Sequence, residues 1–129
     1  LSVSGAVAGE AGSGDAITLA NDGSVDGTLD VSVAAIESNE NGTNDPESSS
    51  AAEGSGVELE DELTITVTLG GSEAFSDTVA NMSPNQSIAS QALDAGSSAD
   101  FNLEYTVADA GNEIQSDSVT LDFTFTLNQ

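Results

Sequence analysis

The chain has no lysine, arginine, histidine, cysteine or tryptophan. Each absence removes a kind of chemistry. Without His, Cys and Lys there is no Ser-His-Asp triad, thiol nucleophile, Schiff base or imidazole-bound zinc. Without Arg there is no guanidinium clamp for a phosphoryl group, and without Cys no disulfide supports the fold. No side-chain salt bridge can form within the chain, and its 23 Asp and Glu residues give a formal charge of -23. Aromatics are scarce too, with four Phe and one Tyr. No apolar run approaches the ~20 residues of a membrane-spanning helix. The segment that begins at Leu1 has neither the charged nor the apolar region of a signal peptide, so a mature, processed chain is expected. It also lacks the apolar N-terminal helix of a type IV pilin.

Only carboxylates remain for acid–base work. Glu58, Glu60, Asp61 and Glu62 form the densest cluster. A glycosidase pair or a calcium site could be built from them. The simpler expectation is a solvated strand edge whose charge repels foreign strands. Asp22, Asp26 and Asp30 recur every four residues, but in a segment that reads as turn and strand. No EF-hand loop and no phosphate-binding glycine motif occurs. Gly12-Ser13-Gly14 and Gly54-Ser55-Gly56 read as loop glycines. The expectation is a non-enzymatic chain with no cofactor and no dedicated metal site.

The charge also selects partners. Nucleic acid and anionic membranes repel a polyanion, whereas cations attract it diffusely. The screening length shrinks from ~10 Å at 0.1 M salt to ~3 Å at 1 M. Such a chain fits a hypersaline medium, where self-repulsion is damped.

What is present is alternation. Leu29, Val31, Val33 and Ala35 share one face of a segment. So do Leu63, Ile65, Val67 and Leu69, and so do Phe101, Leu103, Tyr105 and Val107. Val119, Leu121, Phe123, Phe125 and Leu127 form a fourth set, with polar residues, many of them Thr, between. Period two with one apolar face means half-buried strands, and outward β-branched Thr suits a pleated surface. Shorter candidates lie at Leu1 to Val7, Ala16 to Leu19, Ala74 to Val79 and Ser87 to Leu93. The total is about seven or eight strands in one all-β domain, the signature of a β-sandwich. Gly111-Asn112 is expected to turn a hairpin between the last two strong strands. Residues 37–56, rich in Ser, Glu, Asn and Gly, are expected to form a polar surface loop. Three sequons, at Asn41, Asn81 and Asn85, lie in loop-like sequence and are candidate N-glycosylation sites if the chain is exported.

The last strand pair resembles the closing motif of the TasA/camelysin family of secreted fibre-forming proteins. Asn112, Gln115, Ser118, Phe123, Phe125 and Gln129 match it. Upstream, Ala20-Asn21-Asp22-Gly23-Ser24 followed by Leu29 to Val33 resembles the family's turn-plus-strand segment, with Asn21 and Gly23 in the turn. Gly9-Glu10 sits where the family has a Pro-Gly-Asp turn. Glu40 to Glu47, then Glu58-Leu59, resembles its polar insert. The likeness covers nearly the whole chain.

That resemblance implies a jelly-roll-like sandwich completed by a donated strand. It also implies export, and assembly into pilus-like or biofilm-matrix fibres of an archaeal, halophilic type. In donor-strand complementation one subunit's first strand completes the next subunit's sheet, a head-to-tail contact that yields open filaments. The expected division is a donor at 1–8 and a sandwich at 9–129. Leu1, Val3 and Val7 would insert on alternate positions, and Gly5 would ease close approach. Seven residues reach roughly 23 Å. Two departures from the family stand out. A further family strand ahead of the region matching Leu1 is absent, so either Leu1 to Ala8 acts as the donor or the true donor is missing from this chain; the His that a metallopeptidase site needs is absent as well. With no Lys, intersubunit isopeptide bonds are excluded as well. The alternative expectation is a monomeric or lattice-forming cell-surface adhesion module that binds cations or glycans.

Overall fold

The computed structural model describes residues 1–129 except 15, 49, 51–55, 109 and 110. Nine strands occur among the described residues: β1 (Ser2–Ser4), β2 (Ala11–Ser13), β3 (Ile17–Ala20), β4 (Gly27–Asn39), β5 (Leu63–Leu69), β6 (Ser72–Thr78), β7 (Ser87–Leu93), β8 (Ser98–Val107) and β9 (Ser118–Asn128). Two single helical turns, α1 (Asp45–Ser48) and α2 (Leu59–Glu62), lie between β4 and β5.

The strands form two antiparallel sheets. One runs β1-β9-β4-β7; the other runs β2-β8-β5-β6, with β3 continuing β2 along the same edge of β8. Their inner faces bury Val31, Val33, Leu63, Ile65, Val67, Leu103, Val119 and Leu121 in one core. In β5 the alternation is complete, every second residue from Leu63 to Leu69 being buried. Burying a side chain of this size contributes roughly 1.5–3 kcal/mol. The chain is therefore a β-sandwich, as the alternating segments predict.

Several local expectations are corrected. Gly111-Asn112 does not turn a hairpin: β8 and β9 belong to different sheets, and the chain crosses between them there. A tight hairpin instead joins β5 to β6 at Gly70-Gly71, whose φ angles of 60° and 85° suit a two-residue turn with both centres left-handed. In β4, Ala35 does not continue the inward set. A bulge between Val33 and Ala35 shifts the register against β9, so Ala35 is exposed and Ile36 is half-buried. An extra residue flips every later side chain to the other face.

The polar stretch from 37 to 56 also differs from a plain surface loop. β4 extends through Glu37 to Asn39. Then α1 buries Glu47 completely. Residues 49 and 51–55 of that stretch, Gly54 and Ser55 included, lie outside the described residues. The acidic run after it is a helical turn rather than a strand edge. The Leu59 amide donates to Asp117 Oδ2 at 2.9 Å, and the Asp61 amide donates to the Glu58 carbonyl at 3.1 Å.

Candidate functional site

β1 lies along the outer edge of β9. The Leu1 nitrogen donates to the Leu121 carbonyl at 3.0 Å, and the Leu121 amide donates back to the Leu1 carbonyl at 2.8 Å. Ser2, Val3 and Ser4 then face Thr120, Val119 and Ser118. The segment expected to be a donor is thus paired in this structure with its own chain. Val3 and Leu1 point inward, Val3 buried and Leu1 half-buried, as alternation requires.

Beyond Ser4 the segment leaves β9 within this chain. Gly5 takes a left-handed φ of 59°, which resets the alternation. Ala6 is buried and Val7 is 57 % exposed. A side chain at Gly5 would meet no atom within 4 Å, so the glycine supplies a backbone conformation, not close approach. A second left-handed glycine, Gly9, follows. Next to Gly9, Glu10 ties the crossover: its carboxylate accepts the Val7 amide at 3.1 Å and the Tyr105 hydroxyl at 3.2 Å. Burial, then the charge of Glu10, then that hydrogen bond raise the Tyr105 phenol above its ordinary pKa. The segment thereby passes from the edge of one sheet to the edge of the other, where β2 begins.

β1 covers only the first third of the β9 edge. From Asp122 to Asn128, β9 pairs with β4 on one side and with no described strand on the other. A groove of about 430 Å³ opens there, lined by Leu1, Ile17, Phe101, Leu121, Phe123 and Phe125 among others. Phe101 from the opposite sheet meets Phe125 edge-on at a centroid distance of 5.0 Å and Phe123 at 5.7 Å. The two matched phenylalanines therefore form the apolar wall of an incompletely covered strand edge.

The other motif residues serve as fasteners. Asn21 is buried. Its amide nitrogen donates to the Val25 and Leu93 carbonyls, both at 2.9 Å, and its oxygen accepts the Gly23 amide at 3.0 Å. Gln129, 108 positions later, donates to that same Asn21 oxygen at 3.2 Å. Asn112 and Gln115 bond each other at 2.8 Å within the crossing before β9. Ser118 opposes Ser4 of β1.

Of the three sequon asparagines, Asn41 has a left-handed φ of 58° and donates through Nδ2 to the Ser116 carbonyl and Ser118 Oγ, both at 2.9 Å. Asn81 donates to Asp77 Oδ1 at 2.9 Å. That bond, followed by the Thr78 amide, lowers the Asp77 pKa. Asn85 is exposed with a φ of 66°.

Asp22, Asp26 and Asp30 do not converge. Asp26 accepts the Ala95 amide, while Asp30 accepts Ser90 and Asn128. A different set does: carboxylate oxygens of Glu40, Glu47 and Asp117 lie within 4.8 Å of one another, and Glu47 and Asp117 are buried. No spacing in the sequence signals this set, because its members are brought together by the connection that follows β4 and the one that precedes β9.

Comparisons with protein-family models, curated proteins and solved structures find no match to this chain.

Proposed function

We propose that this chain is the repeating subunit of an extracellular filament that grows head-to-tail by exchange of its first strand. The observation that carries this is the state of the β9 edge. A strand of three residues, joined to the rest by a crossover with two left-handed glycines, holds one end of an edge whose remainder lies open over an apolar groove. Swapping an identical element between copies replaces each contact with its equivalent, so its cost is low. Main-chain bonds and apolar insertion are also the means of cohesion left to a chain without basic side chains. The repeated crossing of the chain between the two sheets suits the jelly-roll winding that the TasA/camelysin resemblance implies. Asn85, exposed and with no side-chain hydrogen bond among the described residues, is the sequon at which a glycan meets least obstruction.

The pairing of β1 with its own β9 favours a second reading, a self-completed surface module that stays monomeric and binds cations or glycans. One experiment separates the two. Ser2 and Thr120 face each other with their hydroxyl oxygens 3.2 Å apart, at a position flanked by hydrogen-bonded pairs, where Cα atoms approach closely enough for a disulfide. The chain has no cysteine of its own. Ser2→Cys with Thr120→Cys, oxidised after assembly in molar NaCl, should give a ladder of covalent multimers on a non-reducing gel, with fibres in negative stain. Cross-linked monomer alone, at every concentration, would overturn strand exchange and leave the surface module.

A further inference from the structure

We propose that Glu40, Glu47 and Asp117 form a calcium site that fastens the polar excursion after β4 to the start of β9. This is independent of how the chain assembles. Glu40 and Glu47 come from the excursion after β4 and Asp117 from the approach to β9, and their carboxylate oxygens lie within 4.8 Å of one another. Glu47 and Asp117 are both fully buried. Asp117 turns Oδ2 to the Leu59 amide, while its other oxygen, Oδ1, is buried with no amide or hydroxyl donor; the neighbouring group is the Glu40 carboxyl, which can bond it only by sharing a proton. A buried carboxylate oxygen without a donor is costly unless a cation or a proton meets it. The chain has no Lys, Arg or His to supply the charge.

The surroundings are dense in oxygen. Glu47 Oε1 and Oε2 each lie 2.7 Å from Ser116 Oγ. The carbonyl of Glu40 lies 3.0 Å from the same hydroxyl, and that of Gly42 approaches it closely as well. One hydroxyl carries one hydrogen, yet four oxygens crowd it. Converging carboxylates and carbonyls are the donor set of Ca²⁺, which takes six to eight oxygens. Mg²⁺ demands octahedral geometry and keeps its waters, so a buried, protein-rich shell suits it less. The absence of nitrogen and sulfur ligands disfavours zinc and copper. The negative field is reinforced by Glu58, whose charge acts on Asp117.

The site would secure what lies around it. Glu47 also accepts the amides of Asn44 at 2.6 Å and Ser116 at 2.5 Å, and Asn41 grips Ser116 and Ser118. A cation here would link α1, the turn that follows β4, and the residues leading into β9.

Thermal unfolding in molar NaCl, with Ca²⁺ against EDTA, tests this, alongside calorimetric titration with Ca²⁺. The wild-type midpoint should rise by roughly 5 °C or more at saturating Ca²⁺, with one tight site per chain. Asp117→Asn should lose that rise. In EDTA it should match or exceed the wild type, because a neutral amide relieves the crowding while still accepting from Leu59. Glu40→Gln, at a less buried position, should lose the rise too, and it decides the matter if Asp117→Asn does not fold. Glu60→Gln with Asp61→Asn removes the same kind of charge outside the site and should keep the rise. The proposal is overturned by a wild-type midpoint equal in Ca²⁺ and EDTA, as protonation of the cluster would give. It is equally overturned if Glu40→Gln keeps the full wild-type rise, or if the Glu60/Asp61 control loses it, which would mark diffuse attraction to a polyanion.

Discussion

The two ends of β9 are built differently. Its first residues are enclosed: β1 covers one side, β4 the other, and the acidic cluster with Asn41 grips the approach at Ser116 and Ser118. Its last residues have β4 on one side and an open groove on the other. Leu121 is 1 % exposed and Leu127 is 36 % exposed, although both follow the same alternation. Periodicity tells which way a side chain points. Whether anything covers it depends on a neighbouring strand that the local sequence does not encode. The half-covered end therefore presents a strand edge with no described partner beside an apolar groove.

The comparison is tested most strongly by truncating the two leucines. Leu121→Ala should cost about 3 kcal/mol, since it removes buried methyl groups and leaves a cavity between the sheets. Leu127→Ala should cost less than about 1 kcal/mol in dilute protein, because part of that side chain already meets water. Urea unfolding at fixed salt measures both. If Leu127→Ala proved as costly as Leu121→Ala, the far end of β9 would have to be covered in solution, and the groove would not be an open edge. In an assembled fibre the gap between the two variants should narrow.

Much of this fold was legible in the sequence, and for a definite reason. β5, β8 and β9 are regular, so period two alone places Ile65, Leu103 and Leu121 in the core. The failures occur where the backbone departs from regularity. The bulge after Val33 reverses Ala35, and the left-handed Gly5 exposes Val7 in favour of Ala6. The hairpin expected at Gly111-Asn112 is absent because the chain changes sheets there, and the hairpin at Gly70-Gly71 was not foreseen. The carboxylate cluster was least legible. Glu40, Glu47 and Asp117 sit among many acidic neighbours, and only the crossings between sheets single them out. Asn21 and Gln129 were marked by motif as turn and terminal residues, yet their meeting 108 positions apart is a tertiary fact.

That meeting gives the second test of the far end. Asn21 is buried and bonds the Val25 and Leu93 carbonyls and the Gly23 amide. Asn21→Ala should therefore cost about 1–3 kcal/mol, since it strands buried backbone groups. Gln129 is exposed, and its bonds to Asn21 and the Val25 carbonyl are both 3.2 Å long. Gln129→Ala should fall within about 0.5 kcal/mol of the wild type. Paired thermal melts would show whether the tip of β9 is held by Asn21 acting on the turn, as the geometry indicates, or by Gln129 acting on the strand. A larger loss in Gln129→Ala would reverse that order.

The smallest effect belongs to the enclosed end and is read by pH. Glu113, buried in the crossing before β9, is held below the ordinary carboxylate value by its own amide, the Ser50 hydroxyl and the Gly111 amide. Its folded-state pKa is thus depressed. The stability it contributes is present above the unfolded value of about 4.5 and is lost as pH falls through the lower folded value. Asp117 runs the other way, since burial raises its pKa. Acidification also relieves repulsion among the other carboxylates, so the wild-type profile alone is ambiguous. The difference between wild type and Glu113→Gln removes that shared background. It should be largest near neutral pH and shrink toward zero as pH falls below about 4. A difference independent of pH would mean that Glu113 acts by packing alone, and that its charge has no part in holding the start of β9.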